Sequence, residues 1–193
     1  MFTGIITAQE TVASTAKENE MVNVVISRPK KWELEVGESI NINGVCSTVT
    51  EMTADDFTVA YMPESLRLTT ASELEKGSKV NLERSLQMKD LLSGHTVSGH
   101  TDTTGQIKEI VEEGDSYTLT ISYDKPQYII HKGSVAVNGI SLTAINPTDD
   151  TFQVSLIPHT WENTNLSSLK VGDLVNIEYD MIAKYIERQQ KYV

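Results

Sequence analysis

A shift of 95 residues lays this chain on itself. Ser39–Glu83 and Ser134–Glu178 align without a gap and share 16 identities in 45 positions, where composition alone would give about three. Asn43-Gly44 falls on Asn138-Gly139, Thr48 on Thr143, Phe57 on Phe152 and Pro63 on Pro158. Gly77 meets Gly172, and Val80-Asn81 meets Val175-Asn176. Such a unit is too long for a solenoid repeat and suits a small domain. The 193 residues therefore read as a tandem duplication.

Each unit reads as strands. Ser39-Ile-Asn-Ile-Asn alternates polar and apolar residues, the period of a strand with one buried face. Phe57–Met62 and Phe152–Ile157 alternate likewise, and each stops at a proline, Pro63 or Pro158, which cannot donate to a ladder. Lys79–Glu83 and Leu174–Glu178 are further short strands entered through glycine turns. Asn43-Gly44 and Asn138-Gly139 are hairpin signals. Many short, evenly spaced strands predict a small closed antiparallel barrel in each half, because closure removes adhesive edges.

Two stretches break this all-β pattern. Ser85–Leu92 carries helix formers and reads as a short helical turn in the linker. Asp180–Tyr192 places Met181, Ile182, Tyr185, Ile186 and Tyr192 on one broad stripe, with Asp180 able to cap the helix. A helix this short is marginal alone, so its apolar face needs a partner, and the first unit has no counterpart. An oligomer contact follows. The expected division is 1–93, a first barrel with linker; 94–179, a second barrel; and 180–193, the helix.

Charge and cysteine usage exclude several functions. With 27 Asp+Glu against 16 Lys+Arg, and the basic residues scattered, no face suits a nucleic acid. The single cysteine, Cys46, forms no internal disulfide and supports no Cys-rich zinc site. The first residues lack a signal-peptide pattern, and no apolar run is long enough to span a membrane. The expectation is a cytoplasmic protein without membrane or nucleic-acid partners.

Among residues that can carry chemistry, His95 and His100 stand five apart in Gly94–Asp102. On a strand that odd spacing sends them to opposite faces, which makes a poor metal pair. Cys46 is either a small buried apolar residue or a site residue, and its repeat partner is Ser141. Two small nucleophile-type side chains at matching positions hint at matching pockets. Lys132, before Gly133, is either a solvated strand-end charge or a ligand contact. His159 and Thr160 follow Pro158 where Glu64 and Ser65 follow Pro63, and these polar groups can line a mouth.

The same residues carry a family resemblance. The chain resembles riboflavin synthases in Met1-Phe-Thr-Gly-Ile-Ile, in Asn-Gly-Val-Cys-x-Thr-Val-Thr at 43–50 and in Gly-His-x-Val-x-Gly-His-x-Asp at 94–102. It does so again in Lys-Gly-Ser-x-Ala-Val-x-Gly-Ile-Ser-Leu-Thr at 132–143, Ser-Leu-Ile-Pro-His-Thr at 155–160 and Ile-Ala-Lys-Tyr-x-Glu-Arg at 182–188. The resemblance implies two tandem six-stranded antiparallel Greek-key barrels and a C-terminal helix that gathers a homotrimer. It implies a transferase acting on two molecules of 6,7-dimethyl-8-ribityllumazine, without metal or redox cofactor, and admits a lumazine synthase shell as a further partner.

The resemblance also implies site residues. The first pocket would use Gly4, Ile5 and Ile6, then Cys46, Ser47 and Thr48, then Ala60, Tyr61, Met62, Pro63, Glu64 and Ser65. The second would use Gly99, His100 and Thr101, Lys132, Ser141, Leu142 and Thr143, then Leu156, Ile157, Pro158, His159, Thr160 and Trp161. Catalysis would fall to His100, Ser141 and Cys46, with Phe2 and His95 at positions the family also depends on. Ser47 stands where the family usually has Leu, so a wall of the first pocket turns polar. The competing reading is a non-catalytic relative, like the lumazine proteins that hold a lumazine or flavin as a light-emitting antenna.

Overall fold

The computed structural model describes residues 1–190. The first unit contributes β1 (Ala8–Glu18), β2 (Met21–Ser27), β3 (Ser39–Ile42), β4 (Val45–Met52), β5 (Asp56–Tyr61) and β6 (Lys79–Arg84). The second contributes β7 (Thr103–Glu113), β8 (Ser116–Ser122), β9 (Ser134–Val137), β10 (Ile140–Ile145), β11 (Thr151–Leu156) and β12 (Leu174–Tyr179). Each set closes into an antiparallel barrel. The first runs β1-β2-β5-β4-β3-β6 around the ring, and the second repeats that order as β7-β8-β11-β10-β9-β12. Strands 1 and 2 of each unit are neighbours while the third lies beyond the fifth and fourth, so both are Greek keys.

The alternation seen in the sequence sets which side chains fill the barrels. Phe57, Val59 and Tyr61 of β5 point inward, as do Phe152, Val154 and Leu156 of β11. Phe57 and Phe152 are fully buried, and each contributes about 1.5–3 kcal/mol by leaving water. Past each strand the chain does not stay a loop. Pro63 opens α1 (Pro63–Leu68) and Pro158 opens α2 (Pro158–Glu162). A proline that ends a strand has φ already set for the first turn of a helix, where its missing N–H costs nothing.

The two Asn-Gly hairpins meet back to back. Asn43 and Gly44 have φ of +49° and +88°, and Asn138 and Gly139 have +46° and +78°, the left-handed pair that a tight hairpin turn requires. A Cβ on Gly44 would lie 2.9 Å from Gly139 N, so the tips touch only because both lack one. Asn81 and Asn176, identical across the repeat, then staple the barrels together. Asn81 Nδ2 donates to Asn138 O at 3.1 Å, and Asn176 Nδ2 donates to Asn43 O at 2.7 Å.

One expectation needs correction. The linker is not helical: after β6 it runs irregularly with one turn, in which Asp90 N donates to Gln87 O and Gln87 N to the Asp90 carboxylate. Met88, Leu91 and Leu92 remain exposed there, so no buried face drives a helix. The C-terminal helix does form, as α3 (Met181–Gln190), with Asp180 Oδ1 accepting from Ile182 N at 2.9 Å. It meets its own barrel through polar side chains: Lys184 pairs with Asp102 at 2.5 Å, and Tyr128 OH donates to Glu187 at 3.3 Å. Ile182, Tyr185 and Ile186 stay 67%, 66% and 53% exposed. Of the remaining stripe residues, Met181 is half-buried and Tyr192 lies outside the described residues.

Candidate active site

Each barrel is preceded by an arm that does not join its sheet. The first arm is residues 1–6 and the second is 94–101, of which 96–101 are the first arm's counterpart under the 95-residue shift. They meet at Phe2 and Val97, an isolated antiparallel bridge between the units. The segment around His95 and His100 is therefore no strand, and the opposite-face expectation lapses. Past the bridge the arms part, each toward the barrel of the other unit.

On one side Gly4 O accepts from Ser141 N at 2.8 Å. A Cβ on Gly4 would sit 2.6 Å from the Ser141 Cβ. Ile6, farther along that arm, packs on the second barrel's core. It also lines a cavity of about 500 Å³ with Ala8, Gln9, His159 and Glu162. On the other side Gly99 O accepts from Cys46 N at 2.7 Å, and a Cβ on Gly99 would sit 2.7 Å from the Cys46 Cβ. Thr101 Oγ1 donates to Gly44 O at 3.1 Å. The expected grouping is thus crossed. Gly4, Ile5 and Ile6 belong with Ser141, while Gly99, His100 and Thr101 belong with Cys46.

A buried carboxylate anchors each arm to the last strand of its own barrel. Glu83 Oε1 accepts from Thr3 N at 2.7 Å and Thr3 Oγ1 at 2.6 Å, and Oε2 accepts from Gly4 N at 3.0 Å. Glu178 does the same for Ser98 N at 2.6 Å, Ser98 Oγ at 2.7 Å and Gly99 N at 2.9 Å. Burial pushes the Glu83 carboxyl above its ordinary range, against the donors of Thr3, Gly4 and Ile5 that pull it down.

The two sides differ chemically. His95 Nδ1 lies 2.7 Å from Ser141 Oγ. Desolvation lowers the imidazole's pKa, with the negative charges of Asp180 and Glu178 opposing. A neutral ring can accept the serine hydroxyl's hydrogen, the arrangement that activates a hydroxyl. Cys46 is half-buried, and His100, which follows Gly99, stands exposed with its backbone N–H donating to Ser98 Oγ at 3.2 Å. The resemblance implies His100, with Ser141 and Cys46, as catalytic residues. Only the fold shows that His95, 46 residues before Ser141, is the histidine in contact with a hydroxyl.

The remaining expected residues are distributed unevenly. Thr48 and Thr143 are exposed on the strands that carry Cys46 and Ser141, and Lys132, with φ +66°, is exposed at the start of its hairpin. Met62, Pro63 and Glu64 are exposed, as are Ile157, Pro158 and His159, with half-buried Ala60, Ser65 and Thr160 beside them. Trp161 stacks on Tyr117, ring centroids 4.0 Å apart. Five side chains face away. Phe2 is fully buried between the units with Val97 and Ala136, so it supports Gly99 from behind. Leu156 belongs to the second barrel's interior, and half-buried Leu142 packs against that core. Ser47 and Tyr61, at the matching positions, point into the first, where Ser47 Oγ is 3.1 Å from the Tyr61 hydroxyl and donates to Val45 O. Burial pushes the Tyr61 phenol up to about 12. Ser47 therefore makes the barrel interior polar and leaves the pocket wall unchanged, because side chains alternate along β4.

The lumazine binding domain family matches the chain twice, at residues 3–85 and 98–180. A riboflavin synthase from Actinobacillus pleuropneumoniae is 44% identical over 97% of this chain and 89% of its own length. The chain belongs to the riboflavin synthase family. A member from Bacillus subtilis is 43% identical over the same shares, and one from Schizosaccharomyces pombe is 40% identical over 81% of this chain and 76% of its own. Among solved structures, LumP complexed with riboflavin superposes with a TM-score of 0.87 at 27% identity, covering 93% of this chain and all of LumP. LumP complexed with 6,7-dimethyl-8-(1'-D-ribityl) lumazine gives a TM-score of 0.85. Both family matches end before α3.

Proposed function

We propose that this chain is a riboflavin synthase, a transferase that moves a four-carbon unit between two molecules of 6,7-dimethyl-8-ribityllumazine. The products are riboflavin and 5-amino-6-ribitylaminouracil. The carbons lost by one molecule are gained by the other, so no external oxidant is consumed. The observation that carries this reading is the crossed pair of contacts, Gly4 on Ser141 and Gly99 on Cys46. A reaction between two identical molecules calls for two related sites, and the duplication supplies them with different chemistry in each.

The C7 methyl of the substrate is acidic because the ring delocalises the resulting carbanion. In the Ser141 site, neutral His95 draws the hydroxyl hydrogen, so that Ser141 Oγ adds to C7 or polarises a water there. In the Cys46 site, exposed His100 takes or returns the methyl proton. Strand-edge amides and the hydroxyls of Thr48, Thr143 and Thr160 hold the ring rim and ribityl chain. Alignment of the two molecules is worth about 7–11 kcal/mol. The outward Ile182, Tyr185 and Ile186 of α3 support a homotrimer, in which the Ser141 side of one chain meets the Cys46 side of the next. The cytoplasm is the proposed compartment.

The test is incubation of purified protein with dimethyl-ribityllumazine, following both products by chromatography. Riboflavin and the ribitylaminouracil appearing in equal amounts support the enzyme. The likeness to LumP, whose solved complexes hold riboflavin and the lumazine, favours an antenna as the second reading, and tight binding without turnover would establish it.

A further inference from the structure

Glu83 and Glu178 are the most deeply buried acidic side chains among the described residues, each 4% exposed, and neither enters the chemistry above. Both carboxylates meet the same donor set, two backbone N–H groups and one hydroxyl, all within 2.6–3.0 Å. Charge-assisted bonds of this kind are about twice as strong as neutral ones. Their donors belong to the arms, and the next atoms along each arm close the site on the opposite barrel. Glu178 lies in β12 of the second barrel, yet Gly99, which it holds, covers Cys46 of the first. Glu83 lies in β6 of the first barrel, yet Gly4 covers Ser141 of the second.

We infer that Glu83 and Glu178 are crossed positioning residues: each shapes the active-site half that belongs to the other barrel. This rests on the proposed function for its meaning to catalysis, but the geometry has its own consequence. The two glycines can approach so closely only while their arms are held. Releasing Ser98 and Gly99 uncovers Cys46, and releasing Thr3 and Gly4 leaves Cys46 covered. Neither carboxylate touches the substrate, and the crossing ties each half-site to the integrity of both barrels.

Cys46 is the single cysteine and gives a readout independent of turnover. The full-length protein, Glu178→Gln and Glu83→Gln are each treated with iodoacetamide, and carboxamidomethylation of Cys46 is timed by mass spectrometry. Glu178→Gln should accelerate alkylation about tenfold or more, while Glu83→Gln stays within twofold of the parent. Ser98→Ala and Thr3→Ala each remove one donor and are milder versions of the same pair. They should reproduce the contrast should a glutamine variant fold poorly. Equal acceleration on both sides would mean general loosening, no acceleration on either would mean that the arms stay put without the carboxylates, and either result overturns the inference. Lumazine turnover is assayed on the same samples. Its absence in the parent would sink the proposed function while leaving the alkylation contrast to decide the clamps.

Discussion

Phe2 and Val97 exchange two backbone hydrogen bonds, Phe2 N to Val97 O at 2.7 Å and Val97 N to Phe2 O at 3.1 Å. Their separation of 95 residues equals the repeat shift, so the bridge lies on the internal two-fold relation of the molecule. Each arm then passes over the opposite barrel, at Ser141 or Cys46, before entering its own, and the whole candidate site follows from this crossing.

His95 offers the clearest pH dependence. Its folded pKa is lowered by burial, so the unfolded chain binds the proton more readily. Stability from the neutral ring is complete above the unfolded pKa of about 6.5. It is lost as pH falls from there toward the folded value. Unfolding in urea should therefore show the parent losing stability below neutrality faster than His95→Gln. Turnover of His95→Gln should fall about 10²–10⁴-fold if His95 activates Ser141. Near-parental turnover in that variant would remove His95 from the mechanism.

Ser47 and Tyr61 form a buried polar pair inside the first barrel. Ser47→Ala strands the Tyr61 hydroxyl and should cost about 1–3 kcal/mol. Adding Tyr61→Phe removes the stranded group, so the double variant should be more stable than the sum of the singles predicts. Strict additivity in urea titrations would show that the two hydroxyls do not interact.

Gly4 and Gly77 share positive φ, at +76° and +94°, but only Gly4 faces a close neighbour, whereas nothing lies near a Cβ at Gly77. Alanine at either site pays the left-handed backbone cost of roughly 1–2 kcal/mol. Gly4→Ala should also displace Ser141 and abolish most turnover, while Gly77→Ala keeps it. Melting curves and turnover on both variants separate strain from site damage.

Helix α3 predicts the assembly. Deleting residues 181–193 should release monomers that bind the lumazine yet lose most dismutation, because the two halves no longer meet between chains. Ile186→Glu should weaken the assembly in the same direction without removing the Lys184–Asp102 contact. Sedimentation velocity beside turnover is the check, and a fully active monomer would place the complete site within one chain.

Much of this architecture is written locally. The strand alternation around Phe57 and Phe152, the Asn-Gly turns and the Asp180 cap all depend on residues a few positions apart, which is the range over which pattern and propensity act, and the repeat is legible by laying the chain on itself. The arms were not legible in this way. Gly4 and Gly99 look like ordinary turn glycines until Ser141 and Cys46 arrive from 137 residues later and 53 residues earlier, and the pairing of His95 with Ser141 requires the second barrel to have closed. Alternation along β4 turns Ser47 into the barrel, away from the side on which its sequence neighbour Cys46 meets Gly99. The linker after β6 has a helical composition but no apolar surface to cover, so it stayed irregular. Sequence determined two barrels and a capped helix, because those follow from short-range chemistry. Tertiary structure decided which arm serves which barrel, because a hydrogen bond and a missing Cβ exert their effect only on the atoms that folding brings within about 3 Å.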